Sequence, residues 1–118
     1  MYAHVNQLGW RDGVPPDDVV DDASMLLRML ADPTRMRILW RLRAEECDVA
    51  TLAHVLDVGR PAVSQHLAKL RLAGLVGVRK DGRRSLYRTR GVHVASLLEA
   101  AFGAADNRVN NLPDHPTP

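Results

Sequence analysis

Nine arginines and lysines fall between Arg60 and Arg90: Arg60, Lys69, Arg71, Arg79, Lys80, Arg83, Arg84, Arg88 and Arg90, against a single acid, Asp81. Guanidinium and ammonium groups at that density are phosphate ligands. The whole chain carries a formal charge of only +2, so this segment is +8 and the remainder −6. Such segregation makes a local basic face for a polyanion, with an acidic remainder that discourages nonspecific coating. Among the cations lie Ser64, Gln65 and His66, whose side chains can exchange hydrogen bonds with base edges. Gln65 is best suited, because its amide pairs both donor and acceptor with adenine. Arg60, Lys69, Arg71 and the wing arginines Arg79, Arg83 and Arg84 would sit on phosphates. The chemistry indicated is recognition of double-stranded DNA.

Those side chains need a scaffold, and the pattern from Asp48 to Arg90 supplies one. Val49 to Leu56 reads as a short helix, with Asp48 as its N-cap and Val49, Leu52, Ala53 and Leu56 on one face. Gly59 breaks the chain, and Pro61 suits the first turn of a second helix. That helix buries Val63, Leu67 and Leu70 and turns Ala62, Gln65 and Lys69 outward, flanked by Ser64 and His66. A short helix with small and amide side chains on its free face fits a major groove. Residues 75–80 and 85–89 have strand composition, with Asp81-Gly82 as the turn and Arg83 and Arg84 at or near its tip. The fold expected is mainly α with a small β-hairpin, a winged helix-turn-helix. A solvated arginine-rich hairpin would carry the same charge, but it would not follow a helix pair of this design.

Further helices frame this head. Pro15-Pro16-Asp17-Asp18 starts one, with Val19, Ala23, Leu26 and Leu30 as its stripe. Asp32-Pro33 starts the next, which carries Met36, Ile38, Leu39 and Trp40 and ends near Arg43. Glu45-Glu46-Cys47 reads as a loop. A last helix runs from Val92 to about Ala105, with Val94, Leu97, Leu98, Ala101 and Phe102 apolar. Residues 1–14 read as a flexible arm, 15–106 as one domain, and 107–118 as a disordered tail containing three prolines. At 118 residues there is room for one core and no separate effector domain. One cysteine excludes an internal disulfide and suits a reducing cytoplasm. No secretory signal or membrane span is visible. No glycine-rich phosphate loop, nucleophile elbow or convergent acid–base pair points to an enzyme. A reader this small ordinarily acts as a dimer on paired half-sites.

Residues 30–39 (LADPTRMRIL), residues 61–71 (PAVSQHLAKLR) with Ala73-Gly74-Leu75-Val76, and residues 83–87 together resemble the ArsR/SmtB family of bacterial metal-responsive repressors. The likeness covers roughly residues 19–106. It implies a homodimer joined through its first and last helices, a palindromic operator, and an effector, often a metal ion, that alters DNA affinity. Members that bind metal beside the recognition helix use several cysteines there. Cys47 stands alone in this chain, so a multi-thiolate site is disfavoured and the residue reads as an incidental loop thiol.

A second family site lies on the paired last helices, with the pattern Asp-x-His, ten residues, then His-x-x-Glu or His. His93 matches within Gly91-Val92-His93, but the aspartate is missing, and the second half falls on Ala104 and Asn107. Asp106 beside it is similar to a carboxylate of the nickel- and cobalt-sensing branch. Glu99, His4 and His115 are further candidate ligands. Imidazole and carboxylate donors without sulfur suit Ni²⁺ first, with Co²⁺ or Zn²⁺ as alternatives. A histidine near a helix start is also a common surface residue, and Asp106 could simply end its helix. Two other classes therefore stay open: a winged-helix regulator without a metal effector, and a protein-interaction module that retains the fold.

Overall fold

A computed structural model of the chain describes residues 9–110. Two compact units divide between Asp32 and Pro33, within the span 15–106 expected as one domain, and each is described by itself. The first carries a 3-10 turn over Arg11–Gly13 and helix α1, Asp17–Leu30. Asp17 and Asp18 sit in the first turn of α1 and Arg28 in the last, as the helix dipole favours. Of the expected stripe only Leu30 is buried, while Val19, Val20, Met25 and Leu27 remain exposed.

The second unit contains α2 (Pro33–Ala44), α3 (Val49–Leu56), α4 (Arg60–Leu72), a hairpin of β1 (Val76–Asp81) and β2 (Arg84–Thr89), and α5 (His93–Val109). Helix α2 is the hub, packing against α3, α4, β2 and α5. Its Ile38, Leu39 and Leu42 meet in a core with Leu52, Val63, Leu67, Leu70, Val76, Leu86, Val94 and Leu98. Trp40 of α2 packs edge-to-face on Phe102 of α5, with ring centroids 5.1 Å apart at 89°. Arg43 lies 3.6 Å over the Trp40 ring, a cation–π contact.

Helix α4 ends where Gly74 takes a φ of +79° and the Leu75 N–H reaches back 2.9 Å to the Leu70 carbonyl. That closure aims the chain into β1 and requires a residue free of Cβ strain. The hairpin pairs Asp81 with Arg84, so the turn is Gly82-Arg83, one residue later than expected. Its positive φ falls on the first central residue, Gly82 at +65°, as in a type II′ turn. Arg84 is thereby a strand residue, and Arg83 alone occupies the tip.

Two further expectations are corrected. Cys47 is tied out of its loop: it exchanges both main-chain hydrogen bonds with Tyr87, at 3.1 and 2.8 Å, as an isolated bridge beside the hairpin. Helix α5 continues to Val109, so residues 107–109 of the expected tail are helical. Alanines, Asp106 and Asn107 permit this, and no proline intervenes before Pro113. The Asn110 side chain closes the helix end by donating 2.8 Å to the Asp106 carboxylate. Residues 111–118, the rest of that tail, lie outside the described residues, as do 1–8 of the expected arm. Among the described residues no helix is long and apolar enough to cross a membrane.

Candidate nucleic-acid interface

Helix α3 is set by its two ends. At the start the Asp48 carboxylate accepts the Thr51 N–H at 2.8 Å, the expected N-cap. Hydrogen bonds from Thr51, with Arg84 nearby, hold the Asp48 carboxyl down to about 2. At the far end Asp57 adopts the left-handed conformation, φ 55° and ψ 48°, and the Val58 N–H bonds the Ala53 carbonyl at 3.1 Å. Asp57 therefore breaks the helix, and Gly59, with φ −62°, serves as the N-cap of α4 in ordinary extended backbone. Aspartate can occupy the left-handed region at modest cost, which hides such a stop among ordinary polar residues.

Helix α4 buries Val63, Leu67 and Leu70, as its period requires. Ser64, Gln65, Ala68, Lys69, Arg71 and Leu72 are exposed on the rest of its surface, with Arg60 exposed at its start. His66, expected as a base contact, borders this surface. It is half-buried, and its Nδ1 lies 3.3 Å from Arg35 Nη1 of α2. Position 66 directly precedes buried Leu67 and borders the apolar stripe, which draws the imidazole toward α2. Ser64, Leu67, Ala68, Arg71 and Leu72 of α4 line a concavity of about 640 Å³ with Tyr87 of β2. Leu72 is 90% exposed at its edge. Tyr87 and Leu72 line this concavity, and composition did not single them out.

The wing arginines are not equivalent. Arg79 forks onto Glu46, with nitrogen–oxygen distances of 2.8, 3.0 and 3.1 Å. Its hydrogen bonds lower the Glu46 pKa, and the guanidinium is raised in return. Arg84 donates from Nε to Asp48 Oδ2 at 3.1 Å. Arg83 is exposed at the tip, and neither it nor Lys80 forms an ion pair among the described residues. Arg88 and Arg90 lean over Gly77, where an added Cβ would stand 3.3 Å from both side chains.

The candidate metal ligands are dispersed. His93 opens α5, Glu99 lies along it, and Asp106 sits near its end, all exposed. Thirteen residues at 1.5 Å each separate His93 from Asp106 by roughly 20 Å, so one helix does not bring them together. Among the described residues no group of three or more histidines, cysteines or acids is placed to hold a metal ion. His4 and His115 lie outside the described residues. Cys47 is only 3% exposed, and burial pushes its thiol pKa up, which suits packing rather than metal binding. A cavity of about 490 Å³ between Trp40 and α5 is lined by Phe102, Ala105, Asp106 and Val109.

Comparison with known proteins agrees with this geometry. A helix-turn-helix domain family matches residues 30–79. The HTH-type transcriptional regulator KmtR of Mycobacterium tuberculosis is 43% identical over 100 residues, covering 85% of this chain and 77% of that protein. The HTH-type transcriptional repressor SmtB of the same species is 40% identical over 96 residues, covering 80% and 71%. Among solved structures, the homodimeric winged helix-turn-helix DNA-binding domain of a possible ArsR-family regulator from Mycobacterium bovis superposes with a TM-score of 0.72. It is 28% identical and covers 86% of this chain and 97% of its own. The chain belongs to the ArsR/SmtB family of winged helix-turn-helix DNA-binding transcriptional regulators.

Proposed function

We propose that the protein binds a palindromic operator as a homodimer, and that a divalent metal ion bound between the last helices changes its affinity for that operator. The observation that carries the DNA part is the coincidence of the exposed Ser64–Gln65 face with the exposed tip residue Arg83 in one basic segment. Gln65 reads a base edge, with Ser64 beside it. Arg60, Lys69 and Arg71 position α4 on phosphates, and Arg83 reaches the backbone or an adjacent minor groove.

The dimer reading rests on the homodimeric Mycobacterium bovis relative and on apolar surface left open on the first and last helices. Val19, Val20, Met25 and Leu27 are exposed on α1, and Leu97 and Val109 on α5. Covering such surface is a usual reason for a small regulator to pair.

The metal reading rests on donor chemistry. Two antiparallel copies of α5 across a dimer axis would bring His93 of one subunit toward Asp106 of the other, with Glu99, His4 and His115 as further donors. Nitrogen and carboxylate donors, with the one thiol buried, suit Ni²⁺ first and Co²⁺ or Zn²⁺ as alternatives. Metal at that position would alter how the two reading heads are spaced, a coupling of about 1–3 kcal/mol.

The test is the affinity of the purified protein for its own promoter DNA at fixed salt, with and without Ni²⁺. The expected result is a metal-dependent change of roughly 5- to 150-fold. His93→Ala should abolish that change and leave metal-free binding intact. Equal binding with and without the ion would instead support an effector-free regulator.

A further inference from the structure

We infer that Glu46 and Asp48 are positioning residues for the wing, holding Arg79 and Arg84 away from phosphate duty and fixing the stem from which Arg83 reaches the duplex. The inference rests on the operator-binding reading above and assigns the wing cations unequal roles within it.

Three consecutive residues anchor the wing. Glu46 takes the Arg79 fork, Cys47 exchanges two main-chain hydrogen bonds with Tyr87, and Asp48 accepts from Arg84. The two acids thus flank a buried bridge residue, and each holds an arginine from a different strand of the hairpin. An exposed ion pair adds little to stability. A forked arginine–carboxylate contact, however, fixes the plane of the guanidinium, and here it is braced by a backbone ladder. Asp48 has a second task, because the same carboxylate caps α3. One side chain therefore ties the first helix of the helix-turn-helix to the wing.

The consequence lies at the tip. Arg84 immediately follows Arg83 and pairs with Asp81 across the turn. With Arg84 tethered to Asp48, the tip is fixed one residue from the side chain that must reach DNA. A wing ordered before binding loses less conformational freedom on contact. To turn fully onto phosphates, Arg79 and Arg84 would have to loosen the carboxylate contacts made by their Nε atoms and by Arg79 Nη2. Neighbouring Lys80 and Arg83 face no such cost, having no ion pair among the described residues.

Exchange of the pair separates the two roles. The full-length protein, Arg79→Glu, the swap Glu46→Arg/Arg79→Glu, Arg79→Ala and Arg83→Ala are titrated with the promoter fragment over a range of salt. Amide hydrogen exchange of residues 84–89 is followed without DNA. Arg79→Glu should weaken binding about tenfold or more through unpaired like charge and speed exchange in β2. The swap should restore both binding and protection. Arg83→Ala should lower the salt slope by about one, and Arg79→Ala should leave the slope unchanged. A swap as weak as Arg79→Glu, or a slope loss in Arg79→Ala equal to that of Arg83→Ala, would make Arg79 a phosphate ligand and overturn the assignment. If the parent shows no salt-dependent binding, the operator reading fails instead. The clamp would then stand or fall on whether the swap restores protection of β2.

Discussion

The reading head and the last helix present their candidate functional side chains in opposite ways. In residues 60–90, one helix and one hairpin gather Gln65, Lys69, Arg71 and Arg83 within a single chain, over a core of Val63, Leu67 and Leu70. On α5, by contrast, His93 and Asp106 stand at opposite ends of one helix, roughly 20 Å apart. A duplex is long and periodic, so a rigid helix and a wing can meet it without help from a second subunit. A metal ion needs several donors within about 2–2.5 Å, which a single straight helix cannot supply from its two ends. On the proposed function, DNA recognition lies in the fold of one subunit, and a metal response would need donors from two.

The largest expected effect tests whether the head depends on its own core. Leu67 is fully buried beneath the exposed face of α4. Leu67→Ala should cost about 2–5 kcal/mol of stability from the lost contacts and the cavity left behind. Urea unfolding at fixed protein concentration reads it directly. Leu97 of α5, which is exposed in the single subunit, offers the comparison. Leu97→Ala should leave subunit packing intact and weaken the dimer instead, as read by sedimentation. Equal loss of unfolding stability from both variants would end the claim that the two regions answer to different partners.

The next effect concerns specificity. Gln65→Ala should reduce preference for the operator by about 1–3 kcal/mol, while affinity for unrelated duplex and the salt slope stay as they were. Competition binding with operator and unrelated DNA measures both. Unchanged discrimination would move base reading away from Gln65, to Ser64 or to the groove between Leu72 and Tyr87.

How much of this was legible in the sequence depended on the range of the interactions. Helices α3 and α4 could be read because their periods and the Asp48 cap are local signals. The fate of the wing arginines could not, because the partners of Arg79 and Arg84 lie 33 and 36 residues earlier in the chain. Charge counting treated all of them as available for phosphate. The placement of His66 is non-local for a related reason: its ring lies against Arg35 of another helix, 31 residues earlier. The turn was displaced by one residue because an Asp-Gly pair fits either central position of a short hairpin, and only strand register decides. The stop after α3 was assigned to Gly59 because glycine is the usual left-handed residue, whereas Asp57 performs that role. The candidate metal ligands are suggested only by family resemblance, since nothing local joins His93 to Asp106.

The smallest effect examines the joint between helix pair and wing. Asp48→Ala should cost about 1 kcal/mol through loss of the cap. Asp48→Asn should cost less at neutral pH, because an amide oxygen still accepts from Thr51 while the charge facing Arg84 is gone. The pH dependence has a definite sign. The Asp48 carboxyl is held down to about 2 in the folded chain, against about 3.9 when unfolded. Its stabilising contribution is therefore complete above roughly pH 5 and declines as pH falls through 4 toward 2. The gap between parent and Asp48→Asn, followed by urea unfolding between pH 7 and pH 2.5, should narrow over that window. Other acids titrate in the same range in both proteins, so only the difference carries the argument. A gap that stayed constant down to pH 2.5 would mean that the ionised carboxylate contributes nothing beyond hydrogen bonding, and that Arg84 is not held by charge.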